Sequence, residues 1–293
     1  MILKLGSKGQ EVKELQEFLG IKADGDFGLK TELAVKKYQH DNGLIIDGIV
    51  GSNTLNHMGI LMDTDLSTVK KIEYKGLEIE PYHLPKGEYK EGPTKKEYLF
   101  LHHTAGWHNP YKVIDSWGRD SRGSIATEFV VGGQSIKDET EYDGKVLQAF
   151  PEGGYGWHLG KNGSQHMHIH SVGIELCNFG YIKDKKTYSG TTVNPSQIIQ
   201  LENEFRGYSY WYKYSEDQLK STKDLILYIA ERDNIDVRIG LISEIKKNGI
   251  KAFEFNKDAY YGKIKGMWTH TNTRKDKTDL SPQPDLIDML LSI

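Results

Sequence analysis

The sequence predicts an α/β domain, with a mixed central sheet flanked by helices, preceded by a small all-α domain of three helices. Three observations predict this arrangement. Residues 1–60 contain an internal duplication, residues 61–96 are polar and dotted with Pro and Gly, and residues 97–293 alternate strand-like apolar runs with helical segments. We interpret the middle stretch as a linker. The last segment is long enough to bury a full core of its own.

A repeated turn motif organises the N-terminal segment. Asp24–Thr31 recurs as Asp47–Thr54, and each copy is an Asp-Gly turn that leads into a helix. Apolar residues near these turns fall at helical spacing and are expected to face inward: Val12, Leu15, Leu19, Ala34, Val35 and Tyr38. The pattern predicts a bundle of three short helices.

The larger domain is predicted to contain four strands, near residues 98, 128, 146 and 172. One helix is expected after Asn194-Pro195, because Ile198, Leu201 and Phe205 fall at helical spacing. Two more are expected from about Ser215 to Arg232 and from Asp285 to Leu291. We interpret residues 241–266 as an insertion.

Two histidines end an apolar run, Tyr98–Leu101, that is predicted to be a buried strand. Successive strand residues point to opposite faces, so only one of His102 and His103 can face a given metal ion. The other should pack beneath the sheet. His270 and Asp279 lie far downstream in a polar, Thr-rich segment that ends in Pro and is predicted to be a loop. Two imidazoles and a carboxylate are a ligand set of catalytic zinc sites with one open position.

These motifs resemble those of the zinc-dependent N-acetylmuramoyl-L-alanine amidases, a family that includes phage endolysins, bacterial cell-wall amidases and peptidoglycan recognition proteins. The resemblance implies that zinc binds the first His of the strand-terminal His-x-Thr-Ala run, which is His102, together with His270 and Asp279. It also implies that Lys277, two residues before the last ligand, assists catalysis by stabilising an oxyanion.

A carboxylate in the middle of an apolar run, Ser171–Asn178, is a second candidate catalytic group. A buried carboxylate is costly unless it finds a cation, a donor or a water-filled cleft. The resemblance implies that Glu175 is the general base that activates water, so that no Ser or Cys nucleophile is needed. The alternative is a Glu on the solvent face of a strand. Cys177 shares its face and is interpreted as a small core or cleft-wall residue.

Substrate contacts are expected from two further segments. Family members carry a Tyr or His just before the aromatic of a second central strand, and Glu128 stands there in this chain. It is a second acid/base group, a partner that orients a zinc ligand, or a surface residue. Gly156–Gly160 resembles the family's Trp-His-x-Gly segment, so Trp157 and His158 are expected to grip a sugar or a stem peptide. The alternative is a loop aromatic that seals the core.

A competing metal site is the segment His166-Met167-His168-Ile169-His170. On a strand, these alternating imidazoles would share one face and bind zinc. No nearby carboxylate completes the set. We therefore favour a position at the edge of the substrate groove.

The N-terminal segment resembles a peptidoglycan-binding module of the three-helix type. The resemblance covers the whole segment from Leu5 onward and includes both Asp-Gly turns. It implies wall binding by a module that contains Asp24, Phe27 and Asp47. Its carboxylates lie in turns, and no catalytic cluster is visible in it.

The composition of the chain limits the binding partners and the cellular location that we expect for the protein. A net charge of −3 with scattered Lys and Arg offers no basic stripe for nucleic acid. We find no apolar signal core and no run long enough for membrane insertion. A single Cys excludes an internal disulfide and favours folding in a reducing host cytoplasm. This predicts a phage endolysin released through a holin, with a bacterial autolysin as the alternative. Nothing in the sequence indicates an oligomeric state.

Three functions fit these motifs. The favoured one is a peptidoglycan amidase that cuts between N-acetylmuramic acid and L-alanine by zinc-activated water, which suits a planar amide carbonyl. A zinc peptidase that cuts within the stem peptide is the first alternative. The second is a non-catalytic recognition protein, although such proteins typically lose the ligands that this chain retains.

Overall fold

A computed structural model describes residues 3–58, 71–160 and 163–293. The chain divides into two compact units. Residues 3–58 and the short segment 84–86 belong to the first unit, and residues 71–83 and 87–293 belong to the second. Within the described residues, no helix combines the length and the apolar character needed to cross a lipid bilayer.

The first unit is a small helical domain, as predicted. Its helices are α1 (Gln10–Phe18), α2 (Leu29–Asp41) and α3 (Ser52–Met58). Their apolar faces enclose one core, made of Leu3, Val12, Leu15, Phe27, Val35, Val50 and Met58. Leu19 and Tyr38 pack against it, and Ala34 is half-buried.

The internal duplication has a structural counterpart in two buried glutamines. The side-chain amide of Gln16 donates to the carboxylate of Asp24 at 2.9 Å, and its oxygen accepts the backbone N–H of Gly25 at 2.9 Å. Gln39 makes the same pair of bonds in the second copy, with Asp47 at 2.9 Å and Gly48 at 2.9 Å. Each glutamine therefore ties its helix to the following Asp-Gly turn.

The second unit contains all nine strands that the described residues form. They are β1 (Ile72–Tyr74), β2 (Leu77–Pro81), β3 (Tyr98–His103), β4 (Phe129–Val131), β5 (Val146–Gln148), β6 (Ser171–Leu176), β7 (Ile198–Phe205), β8 (Tyr208–Tyr212) and β9 (Gly266–Thr269). Seven form one mixed sheet in the order β1-β2-β5-β4-β6-β3-β9, and β7 pairs with β8 in a separate hairpin. The predicted mixed sheet is confirmed.

Helices cover this sheet on both faces, which explains why β3 and β6 read as continuous apolar runs. The helices are α4 (Pro110–Trp117), α5 (Gln165–Ile169), α6 (Glu216–Asp233), α7 (Leu241–Asn248), α8 (Lys257–Tyr260), α9 (His270–Thr273) and α10 (Pro284–Leu291). Leu99 and Leu101 of β3 belong to the main core with residues of α6, α7 and α10. Tyr98 and Phe100 join a smaller cluster on the opposite face, which includes Trp268.

The prediction of a helix through Ile198, Leu201 and Phe205 is wrong. A single 3₁₀ turn at Pro195–Gln197 leads directly into β7. The turn to β8 has positive φ at Arg206 (54°) and Gly207 (83°), a geometry that closes tight hairpins. Leu201 and Phe205 are both buried in the main core. Two side chains four residues apart share a face in a helix and also in a strand, so their spacing did not distinguish the two structures.

Two segments outside the predicted elements also contribute to the fold. Strands β1 and β2 lie within the stretch interpreted as a linker and extend the large sheet, with β2 parallel to β5. The predicted insertion 241–266 supplies α7 and α8, and Leu241 and Phe253 within it are fully buried. Where the domain boundaries fall stays a prediction.

Candidate metal centre and active site

Neighbouring parallel strands bring the predicted site residues to one edge of the sheet. His102 lies near the end of β3, and the strand register pairs it with Glu175 of β6. On the other side of β3, β9 runs parallel and passes directly into α9, which begins at His270. Because the carboxyl ends of parallel strands meet at one edge of a sheet, the three side chains reach a common cavity. A strand and a short helix thus replace the start of the predicted loop.

His102, His270 and Asp279 form a compact buried triad. The Nδ1 atoms of the two histidines lie 3.1 Å apart. The Asp279 Oδ2 atom lies 2.9 Å from Nδ1 of His270 and 3.4 Å from Nδ1 of His102. In the described part of the chain, no other group of three or more His, Cys, Asp or Glu side chains could hold a metal ion in this way.

The triad has the dimensions of a metal site. Tetrahedral zinc, with bonds of about 2.0–2.2 Å, holds its ligand atoms roughly 3.3–3.6 Å apart. The longest distance in the triad, 3.4 Å, falls within that range, and the other two, 2.9 and 3.1 Å, are slightly shorter. Three protein ligands leave a fourth position for water or substrate. The residues present therefore fit a catalytic metal ion.

Protonation states in the triad also suit metal binding. Burial lowers the pKa of His102 to about 4, so its imidazole is neutral near pH 7. Burial alone would raise the pKa of Asp279, but the charge of His270 and hydrogen bonds from His102 and His270 hold it well below its usual range. A neutral imidazole and an ionised carboxylate are the forms that bind metal, and metal binding would release the protons that the histidines share with Asp279.

The triad opens into a cavity of about 350 Å³, and Glu175 and Lys277 also line it. Burial raises the pKa of Glu175 well above its usual range, and the charge of Asp279 adds to this shift. Lys277 acts on that pKa in the opposite direction. A carboxyl group with a raised pKa is suited to accept and return a proton during a reaction.

The two predicted substrate residues after Gly156 have different positions. His158 lines the cavity, with Nδ1 2.9 Å from Nε2 of His102. Trp157 is half-buried and packs edge-on against His168, with ring centroids 4.9 Å apart. The residues that line the cavity do not include Trp157.

Glu128 is not brought to the cavity. Its side chain is 1% exposed, so it is not a surface residue. Arg232 of α6 binds the carboxylate through two contacts of 2.6 and 3.1 Å, and Gln148 donates a third at 3.1 Å. The preceding residues Ile125, Ala126 and Thr127 line the cavity instead. The carboxylate of Glu128 is therefore engaged in a buried ion pair with Arg232.

Comparison with family models decides the class of protein. Residues 92–279 match the model described as N-acetylmuramoyl-L-alanine amidase. The chain belongs to the N-acetylmuramoyl-L-alanine amidase family. Residues 8–58 match a model of a peptidoglycan binding domain. The protein is a peptidoglycan amidase with a peptidoglycan-binding module.

Several solved structures are similar to parts of the amidase. The N-terminal domain of SleB is 32% identical, covering 20% of this chain and 89% of that one, with a TM-score of 0.20. PlyL is 12% identical, covering 67% and 84%, with a TM-score of 0.37. A complex of the N-acetylmuramyl-L-alanine amidase AmiD from E. coli with anhydro-N-acetylmuramic acid-L-Ala-D-gamma-Glu-L-Lys is 19% identical, covering 50% and 47%, with a TM-score of 0.31.

His103 of the amidase lies outside the triad. Its Nδ1 atom is 2.9 Å from the hydroxyl of Tyr214, and its ring packs near Trp211. Tyr214 and Trp211 belong to the main core, on the face opposite Phe100. The alternation of side chains along β3 accounts for this separation of His102 from His103.

His166 and His168 lie on helix α5 and His170 follows as its C-cap, so the strand assumed for this cluster is wrong. The side chain of Ser164 caps the helix by accepting the backbone N–H of Met167. His166 and His170 are one turn apart, with ring centroids 4.3 Å apart. His168 points elsewhere and contacts Trp157.

The sequence motifs did not identify two side chains that support the amidase site. Ser171 lies 2.6 Å from Nε2 of His158, and the period of two along β6, which puts it on the face of Glu175, is the signal that could have found it. Arg206, in the β7–β8 turn, donates to the carbonyl oxygens of Lys275 at 2.9 Å and Thr271 at 3.2 Å. No local pattern in the sequence predicts these hydrogen bonds of Arg206.

Proposed function

We propose that this amidase hydrolyses the bond between N-acetylmuramic acid and L-alanine with a zinc ion held by His102, His270 and Asp279. The observation that carries the proposal is the buried triad, whose distances of 2.9 to 3.4 Å suit a tetrahedral ion. Family membership supports the choice of bond.

Glu175 and Lys277 each have a role in this reaction. Bound zinc would supply a Lewis acid that polarises the scissile carbonyl and makes water more acidic. Glu175 takes the proton from the attacking water and delivers it to the leaving amine of alanine. Lys277, on the cavity wall, stabilises negative charge on the carbonyl oxygen.

The products of wall digestion test the bond. Purified peptidoglycan treated with the amidase should release new α-amino groups that belong to alanine, with no new reducing sugar ends. New amino groups on another residue would indicate a zinc peptidase that acts within the stem. Reducing ends would indicate a glycosidase, for which paired carboxylates are expected instead.

Metal content tests the ligand set. We expect one zinc ion per chain, loss of activity on chelation, and loss of bound zinc in His102→Ala. His168→Ala is the matched control, because His168 is also buried but lies outside the triad. If the control loses zinc and His102→Ala keeps it, the proposed ligands are wrong.

We also propose that residues 1–60 anchor the enzyme to the wall, residues 61–96 connect the domains, and residues 97–293 carry out the reaction. The match of residues 8–58 to a peptidoglycan binding domain supports the anchoring role. Phe27 lies in the core, and Asp24 and Asp47 accept hydrogen bonds from the buried glutamines. Wall binding by the module that contains these three residues stays a proposal.

The proposed context is a phage endolysin that is made in the host cytoplasm and released through a holin. The single Cys177 is buried and free, which suits folding in a reducing compartment. Production of the protein in a bacterial cytoplasm should cause lysis when a holin is co-expressed. Equal lysis without the holin would contradict this route of release.

A further inference from the structure

His158 connects the triad to the start of strand β6. Its Nδ1 atom lies 2.9 Å from Nε2 of His102, and its Nε2 atom lies 2.6 Å from the hydroxyl oxygen of Ser171. All three side chains are buried. The two short contacts form an unbroken polar chain from a proposed metal ligand to a side chain of a central strand.

Metal binding fixes the direction of both hydrogen bonds in this polar chain of His102, His158 and Ser171. Nδ1 of His102 faces His270 and Asp279, so its lone pair must be free for the ion and the proton of the ring must be on Nε2. That Nε2–H then donates to Nδ1 of His158. The proton of His158 is consequently on Nε2, from which it donates to the hydroxyl of Ser171.

Strand β6 is shaped to hold the ring of His158. Ser171, Gly173 and Glu175 alternate along it and therefore share one face. A Cβ atom at Gly173 would lie only 3.2 Å from Nδ1 of His158 and 2.7 Å from a methyl group of Thr127. The absent side chain thus leaves the space that the imidazole needs between the anchor and the general base.

The two histidines of the triad differ in this respect. Nε2 of His270 is buried and has no hydrogen-bond partner among the described residues. His102 is therefore the imidazole whose orientation the surrounding protein fixes through its second nitrogen. Such partners of metal-bound histidines set the tautomer and ring orientation and raise the basicity of the ligand.

We propose that His158 is a positioning residue that holds His102 in its metal-binding tautomer and orientation, with Ser171 as its anchor and Gly173 as the space for its ring. This inference rests on the proposed zinc site. The sequence predicted that His158 contacts the substrate. In this proposal it contacts His102, a proposed metal ligand, instead.

Zinc affinity, measured on the full chain by competition with a chromogenic chelator, tests the proposal without reference to turnover. His158→Phe keeps a ring but removes both nitrogens, and it should weaken zinc binding about 10- to 100-fold. His158→Asn restores an acceptor at the position of Nδ1 and should recover most of that loss. His166→Asn is the matched control, because His166 is an exposed residue of α5, and it should bind zinc like the wild type.

Cobalt substitution supplies a spectroscopic readout of the ligand geometry. The visible absorption of the cobalt form should change in His158→Phe, return toward wild type in His158→Asn and stay unchanged in His166→Asn. If His158→Phe does not fold, Ser171→Ala decides, with an expected loss in zinc affinity of roughly three- to tenfold.

The outcomes separate this inference from the proposed function. Wild-type zinc affinity and an unchanged cobalt spectrum in His158→Phe, or in Ser171→Ala where that variant decides, would overturn the positioning role. A wild-type protein that binds neither zinc nor cobalt would instead overturn the proposed metal site.

Discussion

Glu175 stands beside the triad because the register of β3 and β6 pairs it with His102. Its raised pKa, caused mainly by burial, makes it a better proton acceptor than a solvated Glu. The same burial requires a nearby positive charge when the carboxylate is ionised, and Lys277 acts in that sense. The Glu175 carboxylate is therefore both close to the triad and more basic than a solvated one.

Glu175→Gln should keep the fold and the bound zinc but lose about two to four orders of magnitude in turnover, the range for a general base. Turnover on soluble muropeptides and zinc content are the two measurements. Glu204→Gln, on β7, is the control and should retain normal turnover. A Glu175→Gln variant with more than roughly a tenth of the wild-type rate would remove this residue from the mechanism.

Lys96 is a buried cation outside the reaction. The residue is 3% exposed, and its ammonium group donates to the carbonyl oxygens of Gly154 at 2.7 Å and Ile169 at 3.0 Å. Burial lowers its pKa to about 8, in spite of the attraction of Glu128. In the unfolded chain the same group titrates near 10.5.

This difference predicts how stability depends on pH. Between pH 8 and about 10.5 the unfolded state binds more protons than the folded state at this position, so stability should rise with pH. The free energy of unfolding of the wild type, relative to Lys96→Met, should increase over that interval by up to about 3 kcal/mol. Denaturant unfolding at several pH values measures it, and a constant difference would contradict the expectation.

Single residues also show what the sequence could reveal about the site. His102, His270, Lys277 and Asp279 stand out because metal chemistry restricts residue types and because strand ends place ligands predictably. The hydrogen bond between His158 and Ser171 does not stand out in the sequence, because it depends on how the loop that carries His158 packs against β6. The ion pair of Glu128 with Arg232 joins residues far apart in sequence and leaves no local pattern.

The β7–β8 hairpin acts on the site from the outside. Arg206, in its turn, donates to the carbonyl oxygens of Thr271 and Lys275, which lie between the proposed ligands His270 and Asp279. Glu254 pairs with the same guanidinium at 3.2 Å. The hairpin therefore restrains the segment that carries two of the three proposed ligands.

Arg206→Met should lower zinc affinity about three- to tenfold, because the segment between the ligands loses two hydrogen bonds and becomes less ordered. Chelator competition measures the change. Arg238→Met is a matched control, since Arg238 also donates to a backbone carbonyl, that of Ile293, away from the cavity. Equal affinities in both variants would argue against the restraint.

Prediction succeeded for elements with a strong local period and failed where tertiary pairing overrides it. The predicted helix from Ser215 to Arg232 forms as α6, with Ser215 as its cap. The run through Ile198 carries apolar residues at helical spacing, yet it pairs with β8 as a strand. Its β-branched residues and the Arg206-Gly207 turn are the signals that favour the hairpin.

At the scale of the whole molecule, the two units have separate hydrophobic cores. The core of the first unit is enclosed by its own three helices and by two buried glutamines. The proposed reaction uses residues of the second unit alone. Binding to the wall and cleavage should therefore be separable.

Deleting residues 1–60 should weaken binding to intact cell walls while zinc content and turnover on small soluble muropeptides stay near the wild-type values. Sedimentation with purified walls and assays on soluble substrate measure the two properties. Combined loss of zinc and of activity on small substrates would show that the second unit requires the first.

The pairing of His102 with Glu175 also has a consequence for protein engineering. The separation of base and metal site is set by the backbone spacing of two adjacent strands, so a one-residue insertion in either strand would turn one of these groups to the other face. Residues such as Trp117 and Arg122 line the same cavity from outside these strands. A redesign for another amide substrate can therefore vary that wall and leave β3 and β6 unchanged.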